Sequence, residues 1–228
     1  MKGIQYLFII ILLYMSTSVK AQDWENRKRY AAENSALGLP AQGEKRVVFM
    51  GNSITEGWIK TDSAFFAGKP YINRGISGQT TPQMLLRFRD DVIALKPKVV
   101  VILAGINDIA GNTGPVTLEY IVGNIISMAE LAKTNGIRVI LSSVLPAYDF
   151  PWRRGLEPAK KVKRLNEMIL AYALKNRITY VDYYSSMVDD QGGLPQKFSV
   201  DGVHPSLAGY KVMEPLVERG ITKALQSK

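Results

Sequence analysis

Four short segments carry side chains that together could hydrolyse an ester. Gly51-Asn52-Ser53-Ile54-Thr55 offers a hydroxyl, and Asp201-Gly202-Val203-His204-Pro205 offers an imidazole with a carboxylate three residues upstream. Gly75-Ile76-Ser77-Gly78 and Ile106-Asn107-Asp108 offer a backbone N–H beside a glycine and a side-chain amide. Ester hydrolysis needs an activated hydroxyl, a base, a group that orients the base, and donors for the oxyanion. Ser53 can attack, His204 can take and return the proton, and Asp201 can hold the imidazole in the right tautomer. The N–H of Ser53, the N–H of Gly78 and the amide of Asn107 can meet the oxyanion. A glycine at 78 would let a substrate approach the backbone closely, because no Cβ stands in the way.

Each residue alone has a plainer reading. Serine is a favoured helix cap, Gly78 and Asn107 suit turns, and Asp201-Gly202 is a turn signal. His204 is the only histidine in the chain, and a lone histidine is commonly a surface or packing residue. The conjunction outweighs the separate readings once the surrounding elements are placed. Apolar runs predict strands at Arg46–Gly51, Tyr71–Ile76, Val99–Gly105, Arg138–Pro146 and Thr179–Tyr184. The first, third and fourth runs are continuous rather than alternating, as in strands covered on both faces. Helical patterns fall between them: Thr80 to about Leu95, Thr117–Thr134, Pro158–Asn176 and Ser206–Gln226, the last with Pro215 as a candidate kink. Strand–helix alternation predicts one α/β domain over 46–228, a three-layer α/β/α sandwich of flavodoxin-like type. Its five parallel strands would take the order 2-1-3-4-5. Ligands in such sheets sit beyond the carboxyl ends of the strands, so all four segments should converge on one rim.

At these residues the chain resembles the GDSL-like, or SGNH, hydrolase family, named for a serine, glycine, asparagine and histidine in four blocks. The matches are Ser53 in GNSIT, Gly78 in NRGISGQTT, Asn107 in AGIND and His204 in DGVHP, and they span about Val47 to Met213. The Asp-x-x-His spacing carries the family's acid role onto Asp201. The resemblance implies the SGNH hydrolase fold and a serine ester hydrolase needing neither metal nor cofactor. One departure is visible: Asn52 stands where the family usually has aspartate before the serine. That aspartate is not the triad acid, so the departure bears on hydrogen bonding around Ser53 rather than on activity.

Composition narrows the other possibilities. The chain has 228 residues, no cysteine, and 46% hydrophobic and 21% charged residues, ordinary for one globular domain. Lys2, the apolar stretch Ile4 to Met15 and the small residue ending Val19-Lys20-Ala21 read as a signal peptide over 1–21, with export to the exterior or periplasm. The apolar stretch is short of the roughly 20 residues of a spanning helix, so no stable membrane span is expected after cleavage. Residues 22–45 read as a short helix and a loop leading into the fold. The net charge is +9, or +7 without Lys2 and Lys20, and its densest cluster, Lys160, Lys161, Lys163 and Arg164, falls in a predicted helix. That pattern reads as a solvated face and gives no case for nucleic acid. One histidine and no cysteine leave only an oxygen-ligand metal site, for which no paired carboxylates stand out. Asn52, Trp58, Trp152 and Val203 are the expected substrate contacts, and Trp58, Phe150 and Trp152 could stack on a sugar if they are not simply packed. Arg153-Arg154 reads as a solvent-facing loop. The expected partner is a small-molecule or carbohydrate ester bearing a short acyl group, with acetyl the expected one; the sequence assigns no oligomeric state. A lysophospholipase or broad short-chain esterase is the alternative within the class, and a non-catalytic flavodoxin-like module binding sugar or flavin lies outside it.

Overall fold

The structure is a computed structural model that describes residues 23–226, so the expected signal peptide lies outside the described residues. Five strands, β1 (Val47–Gly51), β2 (Tyr71–Gly75), β3 (Val99–Leu103), β4 (Arg138–Ser142) and β5 (Thr179–Val181), form one parallel sheet in the order β2-β1-β3-β4-β5. Every residue of β1 and β3 is buried, which explains their unbroken apolar runs. Helices α1 (Ala31–Leu37), α2 (Ser53–Thr61), α3 (Thr81–Asp91), α4 (Leu118–Thr134), α5 (Pro158–Lys175) and α6 (Leu207–Gln226) surround the sheet. Helix α6 runs on through Pro215. Among the described residues no helix is long and apolar enough to cross a membrane.

Register aligns the rim. Gly51 pairs with Gly75 on one side and with Leu103 on the other, so β1, β2 and β3 end at the same level. The segments that follow them, from Asn52, Ile76 and Ala104, therefore leave the sheet side by side. Strand β1 ends at Gly51 as expected, whereas β3, β4 and β5 end earlier than their expected runs. Gly105 takes φ 122°, which ends extended pairing after β3. Beyond β4, Ser143 to Leu145 stay buried; the Ser143 N–H still donates to the β5 carbonyl of Val181 at 2.9 Å, but Val144 pairs with a side chain instead of a strand: Asn166 of α5 accepts from the Val144 N–H at 2.7 Å and donates to the Val144 carbonyl at 2.9 Å. An asparagine in a helix here does the work of a neighbouring backbone.

β2 packs tightly against the start of α2, the helix that Ser53 opens. A Cβ on Gly75 would stand 2.1 Å from the Glu56 nitrogen and 2.7 Å from the Asn52 carbonyl oxygen, so only glycine lets β2 approach the first turn of α2. Asn73 reinforces that contact by donating to the Thr55 carbonyl at 2.6 Å. Trp58, on the next turn of α2, is 1% exposed and stacks between Phe65, at 5.0 Å, and Tyr210, at 5.3 Å. The expectation that Trp58 touches substrate is thus corrected: its helical position turns the indole into the core. Val203, 2% exposed, is also a core side chain, so its side chain does not face a ligand either.

Candidate active site

Ser53 opens α2 without capping it. Asn52 is the cap, its Oδ1 accepting from the Ile54 N–H at 3.0 Å. The Asn52 side chain is 1% exposed, so the expected substrate contact is corrected to a structural one, and the serine hydroxyl is left free for another partner. That partner is His204, whose Nε2 lies 2.9 Å from Ser53 Oγ. On the far side of the ring, Nδ1 lies 2.7 Å from Asp201 Oδ2. A hydroxyl, imidazole and carboxylate from segments some 150 residues apart (151 for the serine–histidine pair) thus form one hydrogen-bonded chain.

The DGVHP loop is built to hold this arrangement. Asp201 Oδ1 accepts from the N–H groups of Val203, at 2.9 Å, and His204, at 2.8 Å, which aims the other carboxylate oxygen at the ring. Ser199 secures the loop from below: its Oγ accepts from the Asp201 and Gly202 N–H groups and donates to the His204 carbonyl. Burial acts to raise the Asp201 carboxyl. The hydrogen bonds from the His204 backbone, its ring and Val203 outweigh that, and hold the group below the ordinary carboxylate range. Those bonds favour the charged carboxylate, the form that an orienting acid needs.

Candidate donors for an oxyanion lie in the segments that follow β1, β2 and β3. The Ser53 N–H sits at the start of α2 and the Gly78 N–H in a loop with φ 78°; neither has an acceptor among the described residues. No atom lies within 4 Å of where a Gly78 Cβ would be, so this backbone faces open space, as the close approach of a substrate requires. Asn107, 5% exposed, gives one amide hydrogen to the Gln79 carbonyl at 2.9 Å and keeps a second N–H available. Its neighbour Asp108 is buried and accepts from the Thr81 N–H and, at 2.6 Å, from the Thr81 hydroxyl. Burial pushes the Asp108 carboxyl up to about 6 against these hydrogen bonds.

Of the expected substrate contacts only Trp152 stands at the site. Its side is half exposed, and its ring lies 5.9 Å from the imidazole of His204, tilted by 37°. Phe150 is fully buried and supports Trp152 at 5.4 Å. Arg153 and Arg154 lie in an exposed loop, as expected, but Arg153 is also anchored: its Nη1 donates at 2.8 Å to the carbonyls of Ala110 and Gly111, tying this loop to the one that carries Asn107. Arg154 lines a cavity of about 310 Å³ beside Asp201, with Tyr148, Pro151 and Asp189. Among the described residues no group of three or more His, Cys, Asp or Glu side chains is placed to hold a metal ion.

Sequence reasoning missed the supports of the site: Asn73, Gln79, Arg87 and Ser199. Arg87 is fully buried with Asp91, its partner one helical turn on, at 2.8 Å. The only sequence signal was that i, i+4 spacing, which is equally common on solvated helix faces.

The sequence profile of the GDSL-like lipase/acylhydrolase family matches residues 49–212. Esterase TesA of Pseudomonas aeruginosa is 26% identical over 179 residues, which cover 76% of this chain and 82% of that protein. A solved GDSL-like lipase from Bacteroides thetaiotaomicron is 56% identical with a TM-score of 0.86, covering 88% of this chain and 98% of its own. The acetylxylan esterase Axe2 of Geobacillus stearothermophilus shares the fold at 22% identity and a TM-score of 0.62, over 78% of this chain and 94% of its own. With the profile running from β1 into α6 over the rim just described, the chain is an ester hydrolase belonging to the GDSL-like lipase/acylhydrolase family.

Proposed function

We propose that the chain is an exported serine esterase that removes a short acyl group, acetyl, from carbohydrate esters through an acyl-enzyme. The observation that carries this reading is the unbroken chain from Ser53 Oγ through His204 to Asp201, with links of 2.9 and 2.7 Å. Ser53 Oγ attacks the ester carbonyl while His204 Nε2 takes the hydroxyl proton. The carbonyl oxygen, now negative, is met by the N–H groups of Ser53 and Gly78 and by the free amide hydrogen of Asn107. Collapse breaks the bond to the alcohol, which leaves with the proton from His204. Water, deprotonated by the same imidazole, then splits the acyl-serine and restores the hydroxyl. Asp201 keeps the ring in the tautomer that has Nε2 free and stabilises the imidazolium in both halves.

Two features support a carbohydrate alcohol. Trp152 presents a half-exposed aromatic ring beside the imidazole, on the path the leaving alcohol takes its proton. The cavity next to Asp201 sets charged groups, Arg154 and Asp189, that can bond hydroxyls beside the rings of Tyr148 and Phe150, a mix that suits a sugar. The fold shared with an acetylxylan esterase points the same way. The test compares kcat/KM across acyl lengths at a matched leaving group, and acetylated oligosaccharides against lysophospholipids. A fall from acetyl to octanoyl with acetate release from the oligosaccharide is expected. A rise with chain length, about 0.8 kcal/mol for each methylene buried, would overturn the substrate reading in favour of a lipid esterase. Ser53→Ala separates that question from mechanism: the folded variant should lose turnover and labelling by an organophosphate.

A further inference from the structure

The segment that enters the fold ahead of β1 lies against the loop carrying the Gly78 donor. We infer that residues 24–34 are a working part of the esterase site, acting through Gln79 and Arg87 to hold the oxyanion donors in place. This rests on the serine-esterase reading above and adds to it a group of positioning residues that do not touch substrate.

Gln79 is the junction, and it is 3% exposed. Its Nε2 donates to the Glu25 carbonyl at 2.6 Å, and its Oε1 accepts from Arg87 Nε at 2.5 Å. Its backbone carbonyl accepts from Asn107 Nδ2 at 2.9 Å, and its backbone follows directly on Gly78. One residue therefore joins the entering segment, the buried guanidinium and two of the three oxyanion donors. A second contact lies alongside, where Gln83 Nε2 donates to the Trp24 carbonyl at 2.7 Å.

Arg87 allows no slack in this junction. Besides Gln79 it donates to Asp91 Oδ2 at 2.8 Å, to the Gly51 carbonyl at 3.0 Å and to the Arg74 carbonyl at 2.9 Å. Four acceptors around a rigid planar fork leave one orientation. The Gly51 carbonyl lies two residues before Ser53, so the same guanidinium braces the nucleophile's strand and the donor loop. Gln79 cannot flip its amide, because its NH2 would then face the guanidinium and its oxygen the Glu25 carbonyl. The entering segment completes the network from outside. Asn34 donates to Asp91 Oδ1 at 2.7 Å and accepts from Arg74 Nε at 2.8 Å, and the Tyr30 hydroxyl donates to the Gly75 carbonyl. Oxyanion donors work by being held in place before charge develops, so a loosened Gln79 should lower kcat and leave ground-state binding alone.

The experiment uses the full chain with Gln79→Leu, Gln79→Glu and Tyr30→Phe, alone and combined with Asn107→Ala, on an acetyl ester. Gln79→Leu removes both side-chain bonds. Gln79→Glu keeps an acceptor for Arg87 but loses the donor to Glu25, and Tyr30→Phe removes only the hydroxyl bond to Gly75. The expected result is a kcat lower by tenfold or more for Gln79→Leu, and severalfold lower for the other two, with KM within about threefold. In the Asn107→Ala background the Gln79 losses should shrink, so that the combined loss is smaller than the product of the single losses. A merely structural role would instead multiply with Asn107→Ala. If Gln79→Leu fails to fold, the Gln79→Glu and Tyr30→Phe cycles decide alone. Wild-type kcat in the folded variants, or losses that multiply, overturns the inference while an inactive Ser53→Ala leaves the serine mechanism standing. Turnover by folded Ser53→Ala would instead sink the mechanism itself.

Discussion

Replacing Asp201 by asparagine changes one atom and should disable the imidazole. The structure dictates which way the new amide must face. Oδ1 of Asp201 accepts from two backbone N–H groups, those of Val203 at 2.9 Å and His204 at 2.8 Å. An asparagine must keep its oxygen there, since an NH2 would meet two donors. Its NH2 then occupies the position 2.7 Å from His204 Nδ1. Nδ1 can only accept from it, so the ring proton moves to Nε2 and points at Ser53 Oγ. A protonated Nε2 cannot take the serine proton. In serine proteases the corresponding exchange costs about 10⁴ in kcat, or about 5.4 kcal/mol of barrier at 1.36 kcal/mol per tenfold. The side chains of Asp201 and His204 are 32% and 31% exposed, so solvent screens part of the charge stabilisation but none of the tautomer effect. The expected loss for Asp201→Asn is therefore about 10³–10⁴ in kcat, with KM little changed. Because His204 is the only histidine, long-range ¹H–¹⁵N spectra report its tautomer without ambiguity. The wild type should carry the proton on Nδ1 and the variant on Nε2. A variant that holds the Nε2–H tautomer yet retains kcat within about tenfold would refute the argument that Asp201 works by fixing the ring.

Other perturbations test separate parts of the structure. Trp58→Ala should destabilise the fold by about 3–5 kcal/mol, because it empties a fully packed aromatic site; denaturant midpoints measure this, and the KM of the residual folded enzyme should not change. Trp152→Ala should raise KM for acetylated oligosaccharides more than for p-nitrophenyl acetate, and equal effects on both would remove its role toward the alcohol. Asp108 links stability to pH: its carboxyl sits at about 6 when folded against an ordinary 3.8, so the fold favours its neutral form. Its contribution is fully present below about 4 and is lost as pH rises through about 6, a span worth about 3 kcal/mol. Asp108→Asn should therefore gain on the wild type by about that much between pH 4 and pH 7 in urea unfolding; a constant difference across that range would contradict the assigned burial cost.

Much of the fold was legible because it rests on local pattern. Runs such as VVFMG and VVVIL announce strands buried on both faces, and caps and breakers such as Thr117 and Asn135-Gly136 mark helix ends. Alternation of the two then leaves few topologies, and the order 2-1-3-4-5 followed. The candidate site was legible as a set of positions for the same reason: its segments sit directly after strands or before the last helix, a parallel sheet brings such positions to one rim, and Ser53, His204 and Asp201 meet there in one hydrogen-bonded chain. What sequence left undecided was the direction of each side chain and the long-range partners of polar groups. Asn52, Trp58 and Val203 lie within the very segments that build the site, yet a rotation of a few residues along helix or loop turns them into caps and core. Arg87 carries a charge that composition assigns to the surface. Its burial is tolerable only because carbonyls of Gly51 and Arg74, Gln79 and Asp91 converge on it from four different places in the chain. Residues 22–45 read as a lead-in, and only tertiary structure seats residues 24–34 against the donor loop and its supports. Periodicity records which face of an element is apolar; a buried hydrogen bond needs both partners in space, and that pairing is set by the packed fold.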